Sequence, residues 1–197
     1  MKRHAGTGTI ADRVASLPRI CRLEITLRGI EPPIWRGIEV RDDITLGRLH
    51  RILQDVMGWT DSHLHAFEAG GKRYGIPDRE WGDDDTISER RVKLRDLLSS
   101  GIERFSYEYD FGDDWQHDIV VEGRFDPEPD IRYPRCRAGD RSCPPEDCGG
   151  VTGYQEMLDT LFDPRDPEFK NTRSWIAGWE SEAFDLEAIN RRLWRLR

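Results

Sequence analysis

No stretch of this sequence approaches the ~20 apolar residues that span a bilayer. Residues 1–18 contain Lys2 and Arg3 but lack the apolar run of a signal peptide. These absences predict a soluble chain with no membrane partner and a cytoplasmic location. The phosphate-cradling patterns Gly-x-x-x-x-Gly-Lys-Ser/Thr and Gly-x-Gly-x-x-Gly are missing. There is no Gly-x-Ser-x-Gly elbow either, and no serine is tied by spacing to a histidine, so serine-based nucleophilic catalysis lacks its usual carriers. A Cys-x2-Cys knuckle, common in structural zinc sites, is also absent.

An excess of positive charge is lacking too. With 30 Lys and Arg against 38 Asp and Glu the net charge is -8, and the pI is near 5.2. An acidic chain opposes non-specific attraction to phosphate backbones, so nucleic acid is a disfavoured partner. Arg191, Arg192, Arg195 and Arg197 form a local basic stretch, which reads as cations complementing the dipole at a helix C-terminus.

What is present fits one folded core. The 197 residues are 37% hydrophobic and 35% charged, and seven Trp, seven Phe and five Tyr can fill an interior beneath a charged surface. Residues 1–18 lack a sustained period and read as a mobile tail closed by Pro18. Residues 19–197 read as a single compact α+β domain. Its sheet is largely antiparallel or mixed, built from strand hairpins and packed with three to five helices, with a Cys/Pro/Gly-rich loop at 127–150.

Within that domain, Cys21, Leu23, Ile25 and Leu27 alternate with Arg22, Glu24 and Thr26, which predicts a half-buried strand. A Glu31-Pro32-Pro33 turn leads to a second, in which Ile34, Arg36, Ile38 and Val40 share one face. Thr45 is the expected N-cap of a helix carrying Leu46, Leu49, Ile52, Leu53, Val56 and Met57, ended by Gly58. Gly70-Gly71 suits a tight hairpin between strands at 63–69 and 72–74. Residues 77–91 read as a loop, followed by a short helix around Leu94, Leu97 and Leu98. Thr152 and Gln155 suggest a capping box for a helix stopped by Pro164, and Asp185 caps a last helix.

A central hairpin is expected over residues 105–121. One face carries Phe105, Tyr107, Tyr109 and Phe111, the other strand Trp115, His117, Ile119 and Val121. A three-residue loop, Gly112-Asp113-Asp114, would set Phe111 against Trp115 and Tyr109 against His117, with Glu108 opposite Asp118 on the other face. That register places His117 among aromatics, away from Glu108, Asp110 and Asp118, and leaves Asp113 and Asp114 freer in the turn.

Two constellations carry chemistry. Asp110, Asp113, Asp114, Trp115 and His117 crowd one turn, and carboxylates with an imidazole are the ligands of hard divalent cations and of metal-dependent hydrolysis. Turn-forming aspartates and a core histidine are the plainer reading. Cys136, Cys143 and Cys148 could hold zinc and so order a segment poor in core residues, with a fourth ligand from His117, His63, His65 or Cys21. Ordinary thiols are the plainer reading there.

Four strings give the chain a family likeness: Pro33-Ile34-Trp35-Arg36, Asp61-Ser62-His63-Leu64-His65-Ala66-Phe67, residues 107–117 (YEYDFGDDWQH) and residues 143–154 (CPPEDCGGVTGY). By these it resembles the Ri-plasmid ORF-three-like family from about Ile20 to its C-terminus. The resemblance implies a compact α+β domain and little about chemistry. Members occur in bacteria, archaea and mobile elements, and some carry a resolvase-type label. A serine resolvase needs a nucleophilic Ser among arginines and a basic DNA-binding helix, which this acidic chain does not offer. The residues point to a non-enzymatic interaction or accessory domain with a protein partner. The rival expectation is a metal-dependent hydrolase or nuclease using the 110–117 segment.

Overall fold

A computed structural model of the chain describes residues 17–78 and 85–196. Most of the tail expected at 1–18, part of the loop expected at 77–91, and Arg197 lie outside these residues. In chain order the elements are β1 (Ile20–Leu27), β2 (Trp35–Arg41), α1 (Leu46–Met57), β3 (His65–Ala69), β4 (Lys72–Gly75), β5 (Ile87–Ser88) and α2 (Leu94–Ser99). There follow β6 (Arg104–Tyr109), β7 (Trp115–Phe125), β8 (Arg135–Asp140), α3 (Gly150–Phe162), α4 (Phe169–Trp175) and α5 (Leu186–Leu193). One mixed sheet of eight strands, ordered β5-β4-β3-β6-β7-β1-β2-β8, runs through the molecule. Its pairings are antiparallel except β4 with β5. Among the described residues, no helix is long and apolar enough to cross a membrane.

Alternation decides which face is covered. Leu23, Ile25 and Leu27 of β1, Tyr107 and Tyr109 of β6 and Ile119 of β7 are buried in one cluster with Leu49, Ile52, Leu53 and Val56 of α1. That helix ends as its residues predict. Thr45 Oγ1 accepts from Arg48 N at 3.1 Å, and Gly58 closes it in the left-handed region at φ 90°, where a glycine pays no Cβ penalty. The opposite face of the sheet is charged. Glu39, itself buried, meets Arg22 at 3.0 Å, Arg135 at 2.6 Å and Arg137 at 3.4 Å.

The hairpin at Gly70-Gly71 forms, with both glycines at positive φ. The central hairpin keeps its predicted faces but not its predicted register. Tyr109 pairs with Trp115, Tyr107 with His117 and Phe105 with Ile119, a slip of two residues that leaves the pleat unchanged. Five residues, not three, make the connection. The expected opposition of Glu108 and Asp118 is therefore replaced by Glu108 with Gln116 and Ser106 with Asp118. Asp118 pairs instead with Arg28 at 2.5 Å, and Glu108 with Arg73 at 3.2 Å.

Two further expectations change. The 127–150 segment holds a strand, β8, tied to β2 by Glu39 against Arg135 and to α5 by Asn190. The Asn190 side chain accepts from Cys136 N and donates to Cys136 O, at 2.9 and 3.0 Å. The capping box at Thr152 and Gln155 does not form. Helix α3 starts earlier, at Gly150 behind a left-handed Gly149, because the chain there is pinned to another loop. The Asp185 cap on α5 does form, accepting from Ala188 N at 2.8 Å.

Arg36 shows what a charge on a core-facing position can do. Its guanidinium is buried and donates to the carbonyls of Val56 (3.0 Å), Trp35, Asp140 and Arg141 (2.7 Å each). It thereby fastens the start of the cysteine-bearing segment to the last turn of α1, where a cation complements the helix dipole.

Candidate functional site

Three segments far apart in sequence meet at one end of the sheet: residues 58–64 after α1, the 110–114 turn, and residues 143–150 before α3. Trp59 Nε1 donates to Pro144 O at 2.9 Å, Asp110 N to Leu64 O at 2.9 Å, and Gly149 N to Asp113 Oδ2 at 3.1 Å. The turn is built by its aspartates. Asp110 and Asp114 take φ values of 57° and 54°, which Asp tolerates better than most residues. Asp114 N donates to Asp110 O at 2.7 Å, and Asp110 Oδ1 accepts from Gly112 N and Asp113 N at 3.0 and 3.3 Å. The left-handed positions are thus aspartates, and Gly112 is not one of them.

Gly150 lets the two loops touch. Its φ is 68°, and a Cβ there would overlap the Asp113 carbonyl oxygen. Gly150→Ala is expected to cost about 1–3 kcal/mol of stability from backbone strain and the forced separation of the loops. Chemical denaturation of the variant checks this, and an unchanged midpoint would show that the loops part freely.

Behind this junction lies a closed ring of hydrogen bonds. Gln54 Nε2 donates to Tyr107 Oη at 3.0 Å, and Tyr107 Oη lies 2.8 Å from His50 Nδ1. His50 Nε2 lies 2.7 Å from Asp61 Oδ1, and Asp61 N donates to Gln54 Oε1 at 2.9 Å. The buried tyrosine hydrogen needs an acceptor, and in this ring His50 Nδ1 supplies it, which puts the imidazole proton on Nε2 toward Asp61. Burial, then the neighbouring His65, lowers the His50 pKa. Burial also raises the Tyr107 pKa well above its ordinary value. His65 stacks on His50 with ring centroids 3.4 Å apart and an interplanar angle of 2°, and its Nε2 is 2.7 Å from Glu89 Oε2.

In front of the junction, His63 lies between two carboxylates. Its Nδ1 is 3.5 Å from Asp110 Oδ2 and its Nε2 3.2 Å from Asp147 Oδ1, yet the buried Nε2 makes no aligned hydrogen bond. The ring stands edge-on to Tyr109. Tyr109 Oη donates to Glu146 Oε1 at 2.5 Å and accepts from Ser62 N at 3.1 Å. Thr60 Oγ1 holds the other Glu146 oxygen at 2.5 Å.

The residues singled out in the sequence divide among these surroundings. Asp110 stands in the His63 group. Asp113 holds Gly149, and Asp114 accepts from Gln116 Nε2 at 2.6 Å. Trp115 and His117 are core residues. His117 Nδ1 lies 3.1 Å from Tyr107 O while Nε2 has no partner, and burial pushes the imidazole down to about 4.

The cysteines are free thiols with separate contacts. Cys136 Sγ faces Ala138 O at 3.4 Å, and Cys143 Sγ lies 3.1 Å from Met57 Sδ and 3.3 Å from Arg36 Nη2. Cys148 is half-buried, and burial followed by the charge of Asp113 pushes its thiol up to about 12. Among the described residues, sets of three potential ligand atoms within 4.8 Å of one another are His50, Asp61, His65 and His63, Asp110, Asp147; neither includes a cysteine. Sequence reasoning missed His50, Gln54, Glu89, Glu146 and Asp147. No local spacing links them, although Asp61, His63, Asp110 and Asp147 each fall inside one of the family strings.

Comparison with known proteins agrees with those strings. Residues 19–191 match the family described as "Plasmid pRiA4b ORF-3-like protein". The uncharacterized protein y4hQ of Sinorhizobium fredii is 39% identical over 175 residues, covering 87% of this chain and 89% of that protein. A crystal structure of MM3350 from Methanosarcina mazei Go1, a protein of unknown function, has a TM-score of 0.80 at 36% identity. That match covers 87% of this chain and 98% of the other. On the four strings, the fold and these matches, the chain belongs to the plasmid pRiA4b ORF-3-like family.

Proposed function

We propose that the chain is a non-enzymatic interaction or accessory domain, and that it meets a protein partner at the end of the sheet where the three segments join. The carrying observation is the makeup of that surface. Leu64 precedes β3, Ile76 follows β4 and Phe111 follows β6, so adjacent antiparallel strands deliver three exposed apolar side chains to one end. Ile76 shares a hollow with Asp61, Arg51 and Arg90, and the Arg73 guanidinium lies 5.0 Å over the Phe111 ring. Exposed apolar anchors with a charged rim are the ordinary composition of a recognition surface. The exposed carboxylates at this end, Asp61 and Asp147, favour a partner segment carrying Lys or Arg. Within the hydrogen-bonded ring the polar groups of Gln54, Tyr107, His50 and Asp61 are consumed by one another.

Native protein is expected to show no turnover on hydrolase and nuclease panels with added divalent metals. It is expected to retain a specific protein partner that Leu64→Ser or Phe111→Ser loses at least tenfold in affinity (about 1.4 kcal/mol) without unfolding. Turnover that disappears in Asp110→Ala would replace this reading with the metal-dependent hydrolase, for which Asp110 is the one residue of the 110–117 segment standing in a possible ligand set.

A further inference from the structure

We infer that His63, Asp110 and Asp147 form a binding site for a first-row divalent metal ion, with zinc the best-suited probe. The inference is independent of whether a protein partner docks beside it. One ligand atom from each residue lies within 4.8 Å of the others, against the roughly 3.4 Å spacing that zinc–oxygen and zinc–nitrogen distances of about 2.0–2.2 Å impose on a tetrahedron. Because Asp110 faces Nδ1 and Asp147 faces Nε2, the His63 ring and the Asp147 side chain turn to bring one nitrogen to both carboxylates.

Each ligand is held from behind. Asp110 uses Oδ1 to accept two backbone N–H groups, which turns Oδ2 toward His63. Tyr109 supports the His63 ring edge-on and is itself fixed by Glu146 and Ser62. Asp147 sits in the loop that Gly149 and Gly150 lock onto the Asp113 backbone and side chain. Such outer contacts orient first ligands in metal sites. The His63 Nε2, buried and lacking an aligned hydrogen bond, is the feature a metal would satisfy. One imidazole with two carboxylates suits zinc and its neighbours, and leaves a position for water or a partner's side chain.

The inner set fits less well. A cation shared by the His50 and His65 rings would lie about 1.7 Å, half of their 3.4 Å separation, outside both ring planes. Taking the His50 Nε2 lone pair would also strip the Tyr107 hydrogen of its acceptor. The thiols are dispersed and have raised pKa values, burial being the largest cause for each, whereas zinc takes the thiolate.

Equilibrium dialysis of the full-length untagged protein against zinc chloride, with elemental analysis, should give about one zinc per chain. Asp147→Asn should weaken binding at least about tenfold. That side chain is 74% exposed, so the variant keeps its core. Asp110→Asn, whose amide oxygen can still accept from Gly112 and Asp113, should do the same. Cys143→Ser and Cys148→Ser should leave affinity unchanged, and bound cobalt(II) should show no thiolate charge-transfer band. Absence of stoichiometric zinc would overturn the site. So would undiminished binding in both aspartate variants, or loss confined to the cysteine variants.

Discussion

Arg36→Met is expected to destabilise the protein by about 3 kcal/mol or more, the largest loss foreseen for one side chain away from the candidate site. Among the described residues the guanidinium has no carboxylate partner. Its charge is spread over four carbonyl oxygens and lies 5.1 Å from the Phe184 ring. Methionine would fill much of the volume but leave buried carbonyls short of a donor, at about 1–3 kcal/mol for each one not re-satisfied. The carbonyls of Asp140 and Arg141 would lose their tie to Val56, so the segment leading to Cys143 should loosen first. Arg36→Lys should fall between, because an ammonium cannot spread its donors in a planar fork. Urea denaturation checks the series. A methionine variant with a midpoint close to that of the native protein would show that the clamp adds no stability.

The second large effect is acid destabilisation before the carboxylates titrate. Burial depresses the folded-state pKa of His117 from the ordinary 6.5 to about 4. Between those values the unfolded chain binds a proton that the folded chain refuses, so stability is full above about pH 6.5 and falls as pH drops toward 4. The fall from 6.5 to about 4 corresponds to about 3 kcal/mol. His50 is shifted in the same direction and adds to the slope. Glu39 acts lower: burial works to raise its pKa, but the hydrogen bonds from Arg135 and Arg22 leave it depressed, so its contribution persists until more acid conditions. His117→Leu should be less stable at neutral pH, having lost the contact with Tyr107 O, but should flatten the profile between pH 6.5 and 4. Denaturation midpoints at half-unit pH intervals test this, and an equally steep decline in the variant would exclude His117 as its source.

Local rules made part of this fold legible and left the rest dark for identifiable reasons. Helix α1 carries its start, apolar stripe and stop in consecutive residues, and the Gly70-Gly71 hairpin needs only its two glycines. The faces of β6 and β7 were readable because they depend on period. Their register was not, because Asp110 and Asp114 adopt the left-handed conformation and lengthen the connection from three residues to five. Strand β8 lies in a stretch whose composition argues against it, and is held by Glu39 and Asn190 from remote segments. The same distance hid the candidate site. His63 reads in sequence as a spare zinc ligand and Asp147 as loop filler, and only the contact between the 110–114 and 143–150 loops makes them neighbours. Grouping by nearness along the chain paired Asp110 with His117 and the cysteines with one another, whereas the folded chain pairs Asp110 with His63.

The amide of Asn190 has a bearing on how the molecule behaves in a crowded solution. Strand β8 is the last in the sheet, and its outer backbone groups are the kind that recruit a strand from another chain. By presenting one donor and one acceptor to Cys136, the side chain imitates the neighbour that β8 lacks near the start of that strand. At the other end, β5 is two residues long and too short to template much pairing. A helix side chain on one border and brevity on the other thus both work against strand-by-strand aggregation.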